Sequence, residues 1–314
     1  MKLTELVESY IVLKQSLGMR FGAEGRILRA FSKALGDIDI LEVEKQQVLS
    51  YLTGQGPLTT FWHRKFEALT GFYRFALSRG YIAESPLPTI IPKRPKAFVP
   101  YIYTDEEIRN ILAGVPKACA HQKCPIDAST LRTLLLLLWG TGLRISEALL
   151  LTVPDVDLCS NLLTIRDTKF FKTRLVPIDP ELTKLLSLYA KAQKRRPLLD
   201  GEPSFFFSTH KGTCISLTLV ELYFRKLCKL GGVVRQDGAR YQPRLHDIRH
   251  AFATNRVLSW YREGVDVQSL LPCLSTYLGH GTLAATQRYL TAIPEVLREA
   301  CNRFEQYAME ENHD

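Results

Sequence analysis

Residues 134–147 read Leu134-Leu-Leu-Leu-Leu138-Trp139-Gly140-Thr141-Gly142-Leu143-Arg144-Ile145-Ser146-Glu147, an apolar run that leads straight into a Gly-Thr-Gly turn and a lone arginine. An apolar run of this kind belongs inside a core, and the helix that follows the turn opens on a charge. A guanidinium there is held at the rim of a buried site, where it needs an anionic partner. Glu147 stands one helical turn beyond Arg144, placed to orient an arginine or to cap a nearby turn. Far downstream lie His246-Asp-Ile-Arg249, Leu278-Gly-His280 and Tyr289, polar clusters able to complete a phosphate-handling site.

Outward from this stretch the pattern is helical on both sides. In the front part, apolar positions recur at helical spacing over about 3–17, 23–35, 43–52 and 59–78, punctuated by Gly18, Gly36, Gly54, Gly56 and Gly80. A linker follows over 85–100, whose prolines at 86, 88, 92 and 95 forbid regular helix and whose lysines suit a strap along a polyanion. The rear part begins near Tyr101. Thr104-Asp-Glu-Glu107 signals a helix start, with Thr104 as cap and acids in the first turn. Helices are expected near 104–114, 129–139 and 144–152. Leu162–Ile165 and Thr173–Pro177 read as two strands joined through Asp167–Lys172, and helical patterns then resume to the end. The expected fold is mostly α with a small antiparallel sheet: a helical domain over 1–84, the linker, and a second domain over 101–314. The last helical pattern, 294–308, carries an apolar stripe (Val296, Leu297, Ala300, Cys301, Phe304, Tyr307) that docks either on its own core or on a neighbouring subunit.

Composition narrows the class. A chain of 314 residues is long enough for two domains, since single cores stop growing near this size. With 46% hydrophobic and 23% charged residues it is neither disordered nor membrane-embedded by composition, and no apolar stretch reaches membrane-spanning length. The N-terminus carries acids where a signal peptide would carry basic and then apolar residues, so the expected location is the cytoplasm. Seven scattered cysteines fit reduced thiols there. Cys119-x-His121-x-x-Cys124 is an incomplete zinc pattern, and neither a metal nor a cofactor is expected. The net charge of +9 agrees with a nucleic-acid partner, and residues 305–314 run acidic, so the positive excess lies upstream.

Arg144 and Arg249 are two rigid donor forks suited to the non-bridging oxygens of a phosphate under attack. With no metal, the nucleophile has to be a hydroxyl. A tyrosine titrates near ~10, so it needs a base or a strongly positive site to ionise. His246 can take that proton, His280 can donate to the phosphate, and a hairpin lysine can protonate the leaving oxygen, with Lys169 and Lys172 both placed to do so. His246 and His250, one turn apart, also resemble a zinc-protease pair, but Asp247 replaces the usual glutamate base and Arg249 would set a cation beside the metal.

Taken in order, Gly142-Leu-Arg144-Ile-Ser-Glu147, Lys169 ahead of Lys172-Thr-Arg-Leu-Val-Pro177, His246-Asp-Ile-Arg249-His250, Leu278-Gly-His280 and Tyr289 resemble the tyrosine recombinases of the phage-integrase superfamily. The likeness covers roughly 100–310 and is weaker in front. It implies a helical core-binding (SAM-like) domain ahead of a catalytic domain, with Arg144, Lys169, His246, Arg249, His280 and Tyr289 as the catalytic set. It favours Lys169 over Lys172 as proton donor and gives His250 structural support of the site. It implies metal-independent cleavage and rejoining of double-stranded DNA through a 3′-phosphotyrosine, by a homo-tetramer working alone or with related recombinases. The stretches 101–108 and 271–280 look like those of recombinases carried by transposable elements. Two other readings share the chemistry or the fold: a type IB topoisomerase, which relaxes supercoils, and a non-catalytic DNA-binding regulator, which would be expected to lack one of the set.

Overall fold

The computed structural model describes residues 1–95, 99–120, 124–166, 173–193, 204–239, 241–280, 282–283 and 285–287. The chain divides into two compact units, Met1–Phe98 and Val99–Asp314. No helix among the described residues is long and apolar enough to cross a membrane.

The front unit contains α1 (Leu3–Ser16), α2 (Gly22–Leu35), α3 (Lys45–Thr53) and α4 (Thr60–Ser78). Each amphipathic stripe faces inward as its spacing demands: Leu3, Leu6, Val7, Tyr10 and Ile11 of α1 are buried together. They meet Leu28 and Phe31 of α2 and Leu69, Phe72 and Tyr73 of α4 in one core. Ile82 is buried in the same core just ahead of the proline-rich segment, which folds back on this unit through Leu87, packed against that core, and Arg94, paired with Glu67 at 2.5 Å.

The rear unit holds α5 (Asp105–Ala113), α6 (Val115–Cys119), α7 (Ala128–Thr141), α8 (Ile145–Leu149), β1 (Val156–Asp157), β2 (Leu162–Ile165), β3 (Arg174–Pro177), α9 (Pro180–Gln193), α10 (Leu217–Leu230), α11 (Asp247–Arg262) and α12 (Val267–Leu278). Thr104 caps α5 as its sequence indicates. Its hydroxyl accepts from the Glu107 N–H at 3.2 Å, and the Glu107 carboxylate accepts from the Thr104 N–H at 2.9 Å. The apolar run lies on α7, the central helix, which packs against α9 and α11. Leu131, Leu134 and Leu137 are fully buried in its core.

The strands form one antiparallel sheet in the order β1-β2-β3, with Leu163 opposite Val176 and Ile165 opposite Arg174. β1 was not anticipated, because two residues are too few to show a period. The helix expected over 144–152 stops at Leu149. Pro154 has no N–H to return to the Leu150 carbonyl and its ring crowds that oxygen, so the helix cannot run on. Asp155 instead accepts the Thr152 N–H at 3.0 Å in a separate short turn over Val153–Asp155.

α7 ends at Gly142, which adopts φ +61° and donates its N–H to the Leu138 carbonyl at 2.9 Å. A Cβ at this position would lie 2.4 Å from Cδ1 of Phe252 on α11, so both the conformation and the space require glycine. Replacing Gly142 with Ala should therefore destabilise the rear unit by about 2–5 kcal/mol, combining left-handed strain with overpacking. Urea unfolding of the two proteins measures this, and a change below about 0.5 kcal/mol would mean that α11 gives way freely.

Candidate active site

The site forms around the C-terminal end of α12. The last carbonyls of a helix have no partner within it and carry the negative end of the helix dipole, so they attract cations. Here three successive carbonyls accept from three arginines on three different elements. Tyr277 O takes Arg174 Nε of β3 at 2.9 Å, Leu278 O takes Arg249 Nη2 of α11 at 2.6 Å, and Gly279 O takes Arg144 Nη2 at 2.9 Å. Arg249, almost fully buried at 3% exposure, also donates through Nη1 to Gly142 O at 2.8 Å. It thereby ties the end of α7 to the end of α12.

Arg144 is the N-cap of α8, an unfavourable place for a cation by itself. Glu147 resolves this by serving in both of the ways its position allows. Its carboxylate caps the backbone N–H of Arg144 at 3.0 Å and accepts Arg144 Nη1 at 2.8 Å. Arg174 grips the same carboxylate from behind, Nη1 to Oε1 at 3.0 Å and Nη2 to Oε2 at 2.8 Å. Burial would raise the Glu147 pKa, but the hydrogen bonds and charges of Arg174, with those of Arg144, outweigh it and hold the carboxyl below its ordinary value. Glu147 is ionised at neutral pH.

His246 stands at the residue before α11 without capping it through its side chain, and its ring meets that of His250 edge-on at 5.2 Å between centroids. The His246 pKa is lowered by the protein crowding its ring, then by Arg249, Arg244 and Arg144, with Asp247 opposing. It is therefore largely neutral near pH 7, while its side chain still opens to solvent. Asp247 is fully buried and paired with Arg244, accepting its N–H and Nη2 at 2.9 Å each. His280 follows directly on the anchoring carbonyls and shares a 2.7 Å hydrogen bond through Nδ1 with the buried Thr286 hydroxyl.

Four of the residues expected from sequence, Arg144, His246, Arg249 and His280, thus gather at one place. Lys169, its competitor Lys172 and Tyr289 lie outside the described residues, as do His121 of the incomplete zinc pattern and the segment 294–308. Sequence reading missed Arg174. A signal was present: strand alternation puts Arg174 on the same face as the buried Val176, an inward position for a charged residue.

Residues 103–295 match the family described as Phage integrase family. The chain belongs to the phage integrase family. It is a tyrosine recombinase, similar to the integrase/recombinase y4rB of Sinorhizobium fredii, with 33% identity over 305 residues that cover 96% of each chain. The tyrosine recombinase XerA of Pyrococcus furiosus is 30% identical over 212 residues, covering 68% of this recombinase and 64% of XerA. The fold is shared with the Tn1549 transposon integrase, solved in complex with transposon right end DNA. Its TM-score is 0.69 at 18% identity, over 97% of this chain and 100% of that one.

The half-buried His250 is held neutral, its pKa pushed down to about 4 by burial and then by His246, Arg244 and Arg249, against the opposing charge of Asp247. Its folded value lies below the unfolded one near ~6.5, so on acidification the unfolded chain takes the proton first. Stability is accordingly lost as pH falls from about 6.5 towards about 4. Urea midpoints at pH 7 and pH 5 should draw together in His250→Gln relative to the parent; an undiminished gap would assign the acid sensitivity elsewhere.

Proposed function

We propose that this recombinase performs site-specific exchange of double-stranded DNA, with Arg144, Lys169, His246, Arg249, His280 and Tyr289 as its catalytic residues. The observation that carries this reading is the pair Arg144 and Arg249. They come from distant parts of the chain and are anchored on the neighbouring carbonyls of Gly279 and Leu278, directly beside His280. Donor groups fixed before the substrate arrives need no reorganisation when charge builds on a phosphate.

In the proposed reaction the Tyr289 hydroxyl attacks the scissile phosphorus in line, and His246, neutral at working pH, accepts its proton. Charge on the non-bridging oxygens is met by Arg144, Arg249 and His280. The bond to the 5′-oxygen breaks as Lys169 delivers a proton to it, leaving DNA joined to the protein through a 3′-phosphotyrosine. A 5′-hydroxyl from the partner strand then attacks that linkage and expels the tyrosine. The phosphodiester energy is conserved in the covalent link, so rejoining needs no nucleotide cofactor.

Four protomers assemble on two DNA sites in the cytoplasm, alone or with related recombinases, and serve a mobile element; the similarity to the Tn1549 transposon integrase supports that last assignment. The helical domain over 1–84, the linker over 85–100 and the catalytic domain over 101–314 act together, and the front domain contributes to duplex binding. In its support, a groove of about 560 Å³ between α2 and α4 gathers Arg26, Arg64 and Lys65 beside the rings of Tyr51 and Phe61.

The test is incubation with a nicked duplex carrying the ends of the element, followed by denaturing electrophoresis. A detergent-resistant adduct should form, persist in EDTA and vanish in Tyr289→Phe; an adduct that survives this substitution would move the nucleophile elsewhere. Arg144→Ala should lower cleavage by about 10²–10³-fold while leaving duplex affinity nearly unchanged, whereas equal loss of both would make Arg144 a binding contact. In the front domain, Arg64→Ala should weaken duplex binding at every sequence and reduce the slope of log affinity against log salt by about 1; an unchanged slope would remove Arg64 from the interface.

A further inference from the structure

Arg174 is a charged residue built into the interior of the site. Its side chain is 10% exposed, it stands on the buried face of β3, and its side-chain hydrogen bonds to described residues run to Glu147 and to the end of α12. Its guanidinium is held at three points: two on the Glu147 carboxylate and one, through Nε, on the Tyr277 carbonyl. A lysine cannot reproduce this geometry, because its donors all sit on one atom. The backbone makes room for the fork as well. Gly279 adopts φ +66°, and a Cβ there would come within 2.7 Å of Arg174 Nη1.

The charge count gives this arrangement its meaning. Glu147 is 8% exposed, and each of its oxygens accepts two bonds, one from Arg144 and one from Arg174. A carboxylate with four acceptor positions is then saturated. With Arg144 alone, Glu147 would form a neutral pair, cancelling the charge that an incoming phosphate has to meet. Arg174 supplies a second cation, so the trio retains a net positive charge. Glu147 joins the two guanidiniums by its bonds; it and Arg174 are both buried, at 8% and 10% exposure, and Arg144 is the open member at 33%. The surplus charge is therefore presented through Arg144.

We propose that Arg174 is a positioning residue that acts through Glu147, neutralising its charge from behind so that the Arg144 guanidinium stays oriented and uncompensated for the scissile phosphate. This rests on the catalytic role given to Arg144 above. Arg174 itself does not touch the DNA.

The experiment compares the full-length parent, Arg174→Leu, and the double variant Arg174→Leu with Glu147→Gln, in single-turnover cleavage of the nicked duplex and in duplex affinity. Arg174→Leu should cleave about 10–100-fold more slowly, with affinity within about twofold of the parent, as expected for a residue that orients a reacting group through a partner. The double variant removes the carboxylate charge together with its counter-ion. It should cleave at least about tenfold faster than Arg174→Leu, because Arg144 is again uncompensated. A purely structural role predicts the opposite, a second loss added to the first. The proposal is overturned if Arg174→Leu cleaves within about twofold of the parent, or if the double variant is no faster than the single one while both melt like the parent. Where Arg174→Leu does not fold, the double variant decides alone: cleavage within about tenfold of the parent upholds the proposal, and a loss beyond about 100-fold overturns it. Failure here is distinct from failure of the functional reading. That reading falls if the parent forms no adduct through Tyr289, whereas this inference falls if the adduct forms, depends on Arg144 and is indifferent to Arg174.

Discussion

Three guanidiniums converge on the last turn of one helix, and the catalytic unit is organised around that convergence. The carbonyls of Tyr277, Leu278 and Gly279 have no partners within α12, and each receives a donor from a different part of the chain. Helix ends normally satisfy such groups with water or with a local turn. Using them to seat arginines stabilises the helix end and fixes the cations. It also demands backbone geometry that only glycine supplies. Gly142 and Gly279 both sit in the left-handed region, with Phe252 and Arg174 pressed where a side chain would begin.

Clustering like charges costs free energy, and the site offsets that cost without losing its positive character. Glu147 is the ionised acid between two of the arginines, and Asp247 answers Arg244 one layer away. The histidines respond to the same field: His246 and His250 both have lowered pKa values, with nearby arginines adding to the effect of their surroundings. Neutral imidazoles beside fixed guanidiniums give one place a proton acceptor and anion donors together. That combination suits phosphoryl transfer to a protein hydroxyl.

Much of this was visible as pattern. The four front helices fall within about two residues of where apolar spacing put them, because each buries a single stripe on one common core. Thr104 marks a helix start by local chemistry alone, whereas of the turn read over 140–142 only Gly142 leaves the helix, Gly140 and Thr141 continuing α7. Arg144, His246, Arg249 and His280 were identifiable from their motifs and do meet. The strand β1 and the short α6 were not legible, being too brief to display a period. Arg174 was passed over because a single inward-facing arginine on a four-residue strand looks, in one dimension, like any charged residue near a turn.

The division follows from the range of the forces involved. Helix stripes, caps and the order of polar motifs are written in residues a few positions apart, so the linear chain fixes the helical class and singles out the candidate side chains. The assembly of Arg144, Arg174 and Arg249 on consecutive carbonyls spans 135, 103 and 29 residues along the chain, and no local rule specifies it. It exists because α11 packs with α7 and β3 on one apolar core and with α12 on a second, which brings those backbone oxygens within reach. Folding therefore settled which arginine faces outward and which stands behind it, and with that where the positive charge is presented.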